Sequence, residues 1–157
     1  MTAAIDTARN NPATTAPATD GQLATFWLDG DLYGVEVEHV QEVLKSQGLT
    51  RVPLAPAAVA GLINLRGQVV TAIELRERLG RPPRPEDTDA VVIVVRLHGE
   101  AVSLLVDAIA DVVDVNAKDF EAPPDTLDGQ ARELIRGAYK LDGQLLLALD
   151  VHKAVSA

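Results

Sequence analysis

Short apolar runs separated by glycine-containing turns recur along the chain. Four times, two apolar runs flank a residue followed by glycine, at Asp29-Gly30, Arg66-Gly67, His98-Gly99 and Asp142-Gly143. Glycine adopts the positive φ that two-residue hairpin turns require, and Asp-Gly is among the strongest hairpin signals in a sequence. The pattern therefore predicts four β-hairpins.

These hairpins supply eight predicted strands, and two further apolar stretches are candidates for a ninth and a tenth. The eight are Leu23–Leu28, Leu32–Val37, Leu62–Leu65, Val69–Leu75, Ala90–Leu97, Ala101–Val106, Gly137–Leu141 and Gln144–Leu149, and the candidates are Leu49–Pro53 and Val112–Val115. Many short strands at this spacing indicate an all-β fold of closed or nearly closed barrels. The second half of the chain roughly echoes the first, which suggests two subdomains.

Helical spacing is confined to two short segments. Val37, Val40, Val43 and Leu44 recur at helical intervals, with acidic residues before them and Lys45 after them, as the helix dipole favours. Glu74–Leu79 is the second predicted helix, because Gly80 and a Pro-Pro pair follow it.

The distribution of polar residues divides the chain. Residues 1–20 have almost no large apolar side chain and are predicted to form a disordered tail. Residues 21–157 form the predicted compact domain of two intertwined subdomains. Residues 81–89, rich in proline and charge, are the predicted connection between the two halves, and residues 122–129 a second exposed loop.

Composition narrows the possible partners. The chain has 47% hydrophobic residues, so it can bury a core, and a formal net charge of −9 from 23 acidic and 14 basic residues. That charge disfavours binding to nucleic acid or to an anionic membrane surface. No apolar run approaches the roughly 20 residues that span a bilayer, so direct membrane insertion is not expected. The absence of cysteine excludes disulfides and fits a cytoplasmic protein.

The residue types needed for catalysis do not form a recognisable constellation. His39, His98 and His152 are far apart in the sequence and lack ligand spacing, so neither a metal site nor a catalytic residue is predicted. Gly61 and Gly67 do not form a phosphate loop, because Gln68 stands where lysine is required. Asp107, Asp111 and Asp114 are expected to lie on a solvated strand face. We expect no cofactor and no enzymatic activity.

Arg66 is the most informative single residue. It lies at the tip of a predicted hairpin, where the turn fixes its Cβ and leaves its guanidinium free to donate to a partner's carboxylate or carbonyl groups. An ordinary solvent-facing turn arginine is the alternative interpretation on physical grounds alone.

The segment around Arg66 closely resembles the signature of the CheW family of chemotaxis coupling proteins. The resemblance lies in Asn64-Leu65-Arg66-Gly67, the Val-rich strand after it and Glu74-Leu75-Arg76. Upstream and downstream segments fit in the right order, so that the resemblance covers about Gln22 to Val155. They are Tyr33–Val37, Val40–Val43, Val52-Pro53, Val91–Val95, His98-Gly99, Val106-Asp107 and Asp111-Val112.

The resemblance implies a non-catalytic adaptor. Members of the family have two small five-stranded β-barrels with a groove between them, and they join the cytoplasmic tip of a chemoreceptor to the regulatory domain of a CheA-type histidine kinase at receptor arrays. Carried over by position, Arg66 and Glu42 are polar receptor contacts, Val37, Val102 and Val112 line the apolar receptor groove, and Val40 and Gly61 face the kinase. Core packing is the alternative role for each valine.

Some positions depart from the family pattern, and rival functions stay open. Ser103 stands where relatives often have glycine and is expected to add bulk near the groove, and Ala60 lacks a charge found in some relatives. One rival is a coupling protein of a parallel pathway that controls pili or gliding. Another is a small-barrel module for an unrelated peptide or ligand, and an unrecognised enzyme comes last.

Overall fold

The computed structural model describes residues 20–45, 48–85, 88–127 and 129–156. Most of these residues lie in short strands, as the all-β prediction requires. The strands are β1 (Gly21–Leu28), β2 (Asp31–Glu36), β3 (Val40–Lys45), β4 (Leu49–Thr50), β5 (Val59–Leu65), β6 (Gln68–Glu74), β7 (Val91–Leu97), β8 (Glu100–Val106), β9 (Ala108–Val115), β10 (Phe120–Glu121), β11 (Ile135–Leu141) and β12 (Gln144–Leu149). All four predicted hairpins are confirmed. Residues 1–19 of the predicted tail lie outside the described residues.

The strands form two sheets of six, where the family resemblance implies five-stranded units. The first sheet has the order β10-β11-β12-β2-β1-β9, and the second has the order β3-β7-β8-β6-β5-β4. Neighbouring strands pair antiparallel except β12 with β2 and β6 with β8, which are parallel. The chain passes from the first sheet to the second and back again, which intertwines the two sheets.

The hairpin turns have the geometry expected of residue-glycine pairs. Arg66 and Gly67 have φ values of 51° and 87°, and His98 and Gly99 have values of 51° and 81°. Positive φ at both central residues defines the type I′ turn, whose twist matches that of the flanking strands. The side chains of Arg66 and His98 are therefore held at the tips of tight turns.

Both faces of each sheet contribute apolar side chains to a core. Along β7, Ile93, Val95 and Leu97 face the main core between the two sheets, whereas Val92 and Val94 belong to a small cluster within the second sheet. The first sheet has a cluster of its own, which includes Leu23 and Leu146. Side chains alternate across a strand, so these apolar runs fill two cores at once.

The prediction of a helix through Val37, Val40, Val43 and Leu44 is wrong. Val37–His39 is a single 3₁₀ turn, and Val40–Lys45 is the edge strand β3, which pairs with β7. The burial of β3 alternates along the strand, and the valines fit a pleated sheet better than a helix. Over so short a segment the same apolar positions satisfy both periods.

The helices are short and lie at the ends of strands. The predicted helix at Glu74–Leu79 is confirmed as α1 (Leu75–Arg78), with the Glu74 carboxylate accepting from the Arg76 N–H as its N-cap. The sequence pattern missed α2 (Gly129–Leu134) and α3 (Val151–Val155). None of the helices in the described ranges is long and apolar enough to cross a membrane.

The segment 81–89, predicted as the connection between the two halves, follows α1 and precedes β7 in the chain. Arg81 donates to Asp31 and Tyr33 of the first sheet, whereas Arg84 donates to Glu74 of the second. The chain passes between the sheets at Val37–His39 and again at Asp107, which separates β8 from β9. The division into two subdomains connected near residues 81–89 stays a prediction.

Asp107 lies at the centre of an ion cluster where the chain crosses between the sheets. We call Asp29, Glu74, Arg76, Arg84 and Asp107 the junction cluster. The Arg76 guanidinium donates two hydrogen bonds to the Asp107 carboxylate, at 3.0 and 2.6 Å, and Arg84 donates to both Asp107 and Glu74. The same carboxylate accepts from the Asp29 backbone N–H at 2.8 Å, in the β1–β2 turn of the other sheet.

The expectation that Asp107 lies on a solvated strand face is therefore wrong. Its side chain is 23% exposed and Arg76 is 9% exposed. Burial raises the pKa of Asp107, but the hydrogen bonds and charge of Arg76 outweigh it and leave the pKa below its ordinary value. The carboxylate is thus a charged structural group that joins the two sheets.

We expect Asp107→Ala to lower the free energy of unfolding by about 3 kcal/mol, because it leaves the buried Arg76 guanidinium without its carboxylate. Chemical denaturation followed by circular dichroism measures the change. Asp111→Ala, which removes an exposed carboxylate from the next strand, is the matched control and should change stability by less than about 0.5 kcal/mol. Equal effects of the two substitutions would show that the junction cluster adds nothing to stability.

Candidate functional site

Arg66 and Glu42 form a two-point ion pair on the surface of the second sheet. The Arg66 guanidinium donates from both terminal nitrogens to the two Glu42 carboxylate oxygens, each at 2.6 Å. The Arg66 side chain is 72% exposed, whereas that of Glu42 is 18% exposed. The Arg66 side chain therefore projects into solvent, and the more buried Glu42 carboxylate fixes the orientation of the Arg66 guanidinium.

The position of Glu42 follows from an irregularity in β3. A bulge between Val40 and Glu42 shifts the register, so that Val40 pairs with Val95 but Glu42 pairs with Val94. Val95 faces the main core and Val94 faces the cluster within the second sheet. The bulge therefore turns Glu42 away from the main core and toward the tip of the β5–β6 hairpin.

This contact joins elements that are far apart in the sheet order. β3 and β5 stand near opposite ends of the second sheet, separated by β7, β8 and β6. The hairpin tip is itself braced, since the Asn64 side chain accepts from the Gly67 N–H at 2.9 Å. The hydrogen bonds from Arg66 lower the pKa of the Glu42 carboxyl group. The pair is a fixed, ordered feature of the surface.

Three of the valines assigned to the partner surfaces lie close to one another. Val40 and Val102 both pair with Val95, one from each side, and Val37 begins the 3₁₀ turn that leads into β3. All three are half-buried and pack against the main core. The structure thus gives each of them a packing role, and their contacts with partners stay predictions.

Val112 differs from the other three valines. It lies on β9, an edge strand of the first sheet, and is 57% exposed. Ile109 on the same strand and Trp27 on β1 are also exposed, at 43% and 36%. Ile109 lies in the part of β9 that precedes the predicted strand Val112–Val115.

Gly61 has a structural reason to be glycine. Its φ is +154°, and a Cβ placed there would lie 2.3 Å from the carbonyl oxygen of Thr50 on β4. Glycine at this position lets β4 approach β5 closely. Its predicted place on the kinase-facing surface stays a prediction.

Ser103 does not lie on an open groove. It is fully buried beside Val94 and Ala72, and its hydroxyl has no hydrogen-bond partner among the described residues. The extra bulk relative to glycine is therefore taken up inside the second sheet.

A β framework that presents an oriented guanidinium on one sheet and exposed apolar side chains on the other has the surface of a scaffold that binds other proteins. Comparison with known proteins agrees. The CheW-like domain matches residues 22–157. The chain is 32% identical to the chemotaxis protein CheW of Treponema pallidum (strain Nichols) over 140 residues, which cover 87% of this chain and 82% of that protein.

Two further relatives support the same assignment. The chemotaxis protein CheW of Klebsiella aerogenes is 30% identical, with 90% of this chain and 86% of the relative covered. The crystal structure of the scaffolding protein TtCheW from Thermoanaerobacter tengcongensis superimposes with a TM-score of 0.78 at 28% identity, covering 88% of this chain and 94% of that one.

The chain belongs to the CheW family of chemotaxis scaffold proteins. The family couples receptors to the kinase CheA and is non-catalytic, which confirms the expectation that the chain is not an enzyme. The resemblance found in the Asn64–Arg76 segment is confirmed. The individual contact residues stay predictions.

We expect Gly61→Ala to cost about 3 kcal/mol of stability, because the new methyl group overlaps the Thr50 carbonyl. Gly67→Ala is the control. Its φ is +87° but open space surrounds it, so only backbone strain of about 1 kcal/mol is expected. Thermal or urea unfolding of both variants measures the difference. Equal losses would mean that the close approach of β4 to β5 is unimportant for stability.

Proposed function

We propose that the chain couples the cytoplasmic tip of chemoreceptors to the regulatory domain of a CheA-type kinase, with Arg66 as the central receptor contact. The observation that carries the proposal is the two-point Arg66–Glu42 pair, in which an exposed guanidinium within the family signature is held in a fixed orientation. Membership of the CheW family supports the partners.

The Arg66–Glu42 pair suits a reversible polar contact. A guanidinium has five N–H donors, and Glu42 accepts from only two of them. The remaining donors are available for carboxylate or carbonyl groups of a receptor helix. Since Glu42 and the hairpin turn already restrict the side chain, binding costs less conformational entropy than it does for a free arginine.

The apolar part of the receptor surface is assigned to Val37, Val102 and Val112, and the kinase surface to Val40 and Gly61. Val112 gives the strongest support for the receptor assignment. A valine that is 57% exposed contributes more hydrophobic free energy when a partner covers it than a half-buried valine does. The protein acts in the cytoplasm and reaches receptor arrays by recruitment through its partners. Neither nucleic acid nor direct membrane insertion has a part in this function.

We expect Arg66→Ala to keep the melting temperature within about 2 °C, because an exposed ion pair contributes little to stability. The same substitution should weaken receptor binding at least tenfold, because it removes a charge from the interface. Arg66→Lys should recover only part of the affinity, because an ammonium lacks the planar fork of donors. The measurements are thermal unfolding and a reconstituted receptor–kinase assay.

Lys140→Ala is the matched control for Arg66, because Lys140 also forms an exposed ion pair, with Glu121 at 2.8 Å, but on the first sheet. It should leave receptor binding and kinase stimulation unchanged. Normal kinase stimulation by Arg66→Ala would reduce Arg66 to an ordinary turn residue, and unfolding of that variant would show that Arg66 is structural.

Val40→Thr tests the kinase surface with little change of volume. We expect kinase affinity to fall about threefold or more, since a hydroxyl replaces a methyl group at the contact. Val95→Thr is the control, because Val95 is fully buried beside Val40 on β7. It should lower the melting temperature more than Val40→Thr and leave the kinase affinity of the folded protein unchanged. If affinity follows stability in both variants, Val40 is a core residue only.

A further inference from the structure

The fold brings together three histidines that are far apart in the sequence. The ring centroids of His39 and His152 are 5.5 Å apart, and those of His98 and His152 are 5.3 Å apart. His39 ends the 3₁₀ turn before β3, His98 is at the tip of the β7–β8 hairpin, and His152 lies on α3. These are all the histidines in the chain. We call them the histidine cluster.

Two of the three ring separations, the two that involve His152, match what a shared metal ion requires. A Zn–N distance of 2.0–2.1 Å and a tetrahedral angle place two coordinated imidazole centroids about 5 Å apart. Both measured separations lie within a few tenths of an ångström of this value, with His152 common to the two pairs. His98 and His152 are exposed, so their rings can rotate toward one point without repacking the core.

The surroundings of His39 add a second feature of zinc sites. Its Nε2 lies 3.8 Å from an Oε1 of Glu36, which also accepts from Arg136 at 3.4 Å. Histidine ligands commonly donate their second ring N–H to a carboxylate, which fixes the tautomer and the ring orientation. A small rotation of His39 makes Glu36 such an acceptor and leaves Nδ1 for the metal.

A competing donor set shares His39. Ligand atoms of Glu36, Glu38 and His39 lie within 4.8 Å of one another. Arg136 already pairs with Glu36, and a guanidinium at that carboxylate opposes binding of a cation between the two glutamates. Neutral imidazoles do not carry this conflict and are preferred ligands of Zn²⁺.

We propose that His39, His98 and His152 form a binding site for one divalent transition-metal ion of the zinc type. The three ligands come from the crossover between the sheets, from a hairpin of the second sheet and from the helix that follows β12 of the first sheet. A bound ion therefore ties three separate elements together, and because it binds the folded state it stabilises the protein. Because His39 lies between Val37 and Val40, the site adjoins the surfaces assigned to the receptor and the kinase.

The test uses the full chain without an affinity tag, titrated with Zn²⁺ by calorimetry and followed by thermal unfolding. We expect saturable binding of one ion per chain and a rise in melting temperature of several degrees at saturating zinc. In an NMR titration the imidazole resonances report only the histidine cluster, and all three histidines should shift together.

Substitutions separate the two donor sets. His152→Ala and His98→Ala should each weaken zinc binding at least about tenfold, whereas Glu38→Gln should leave it unchanged. Lys153→Ala, next to His152 on the exposed side of α3, controls for surface charge. Binding that depends on Glu38 and not on His98 would overturn the proposal in favour of the acidic set, and no saturable binding at millimolar zinc would overturn it altogether.

Discussion

The carboxylate of Asp107 is the group on which the arrangement of the two sheets most depends. It lies where the chain returns from the second sheet to the first, and it accepts hydrogen bonds from Arg76 beside one sheet and from the Asp29 turn of the other. A carboxylate removed from water is costly unless its lone pairs are satisfied, and here Arg76, Arg84 and a backbone N–H satisfy them. Because those donors are fixed in direction, they set the orientation of the sheets more specifically than the aliphatic main core does.

The hairpins were predictable because their signal is local, whereas the junction cluster and the histidine cluster were not. A residue-glycine pair between apolar runs predicts a tight turn with positive φ at both residues, and the Arg66-Gly67 turn has this geometry. β3 was misassigned because six residues cannot distinguish a period of 2 from one of 3.6, and the bulge further disturbs the alternation. Asp107 and Arg76 are 31 residues apart, and His39 and His152 lie near opposite ends of the compact region, so only the tertiary fold brings them together.

The candidate site was recognised through family resemblance, and the structure adds its physical basis. Sequence spacing alone left Arg66 as an ordinary turn residue, since Glu42 is 24 residues away. The fold places the Glu42 carboxylate beneath the guanidinium because the bulge in β3 turns it toward the hairpin tip. The valines assigned with it are harder to interpret. Val37, Val40 and Val102 already pack against the main core. Of the four valines, only Val112 is exposed enough that its burial by a partner would add substantially to the binding free energy.

A scaffold of this kind acts through the relative positions of its binding surfaces, because the family has no catalytic step. Arg66 projects from the second sheet, whereas Val112 lies on an edge strand of the first, so a receptor that contacts both reads the relative position of the two sheets. That position is held by the junction cluster and by the main core, to which both sheets contribute. Under the proposed receptor contacts, the buried ion pairs therefore affect function at a distance. A change at Asp107 that left both surfaces chemically intact would still alter their spacing, and a partner that needs both at once would detect it.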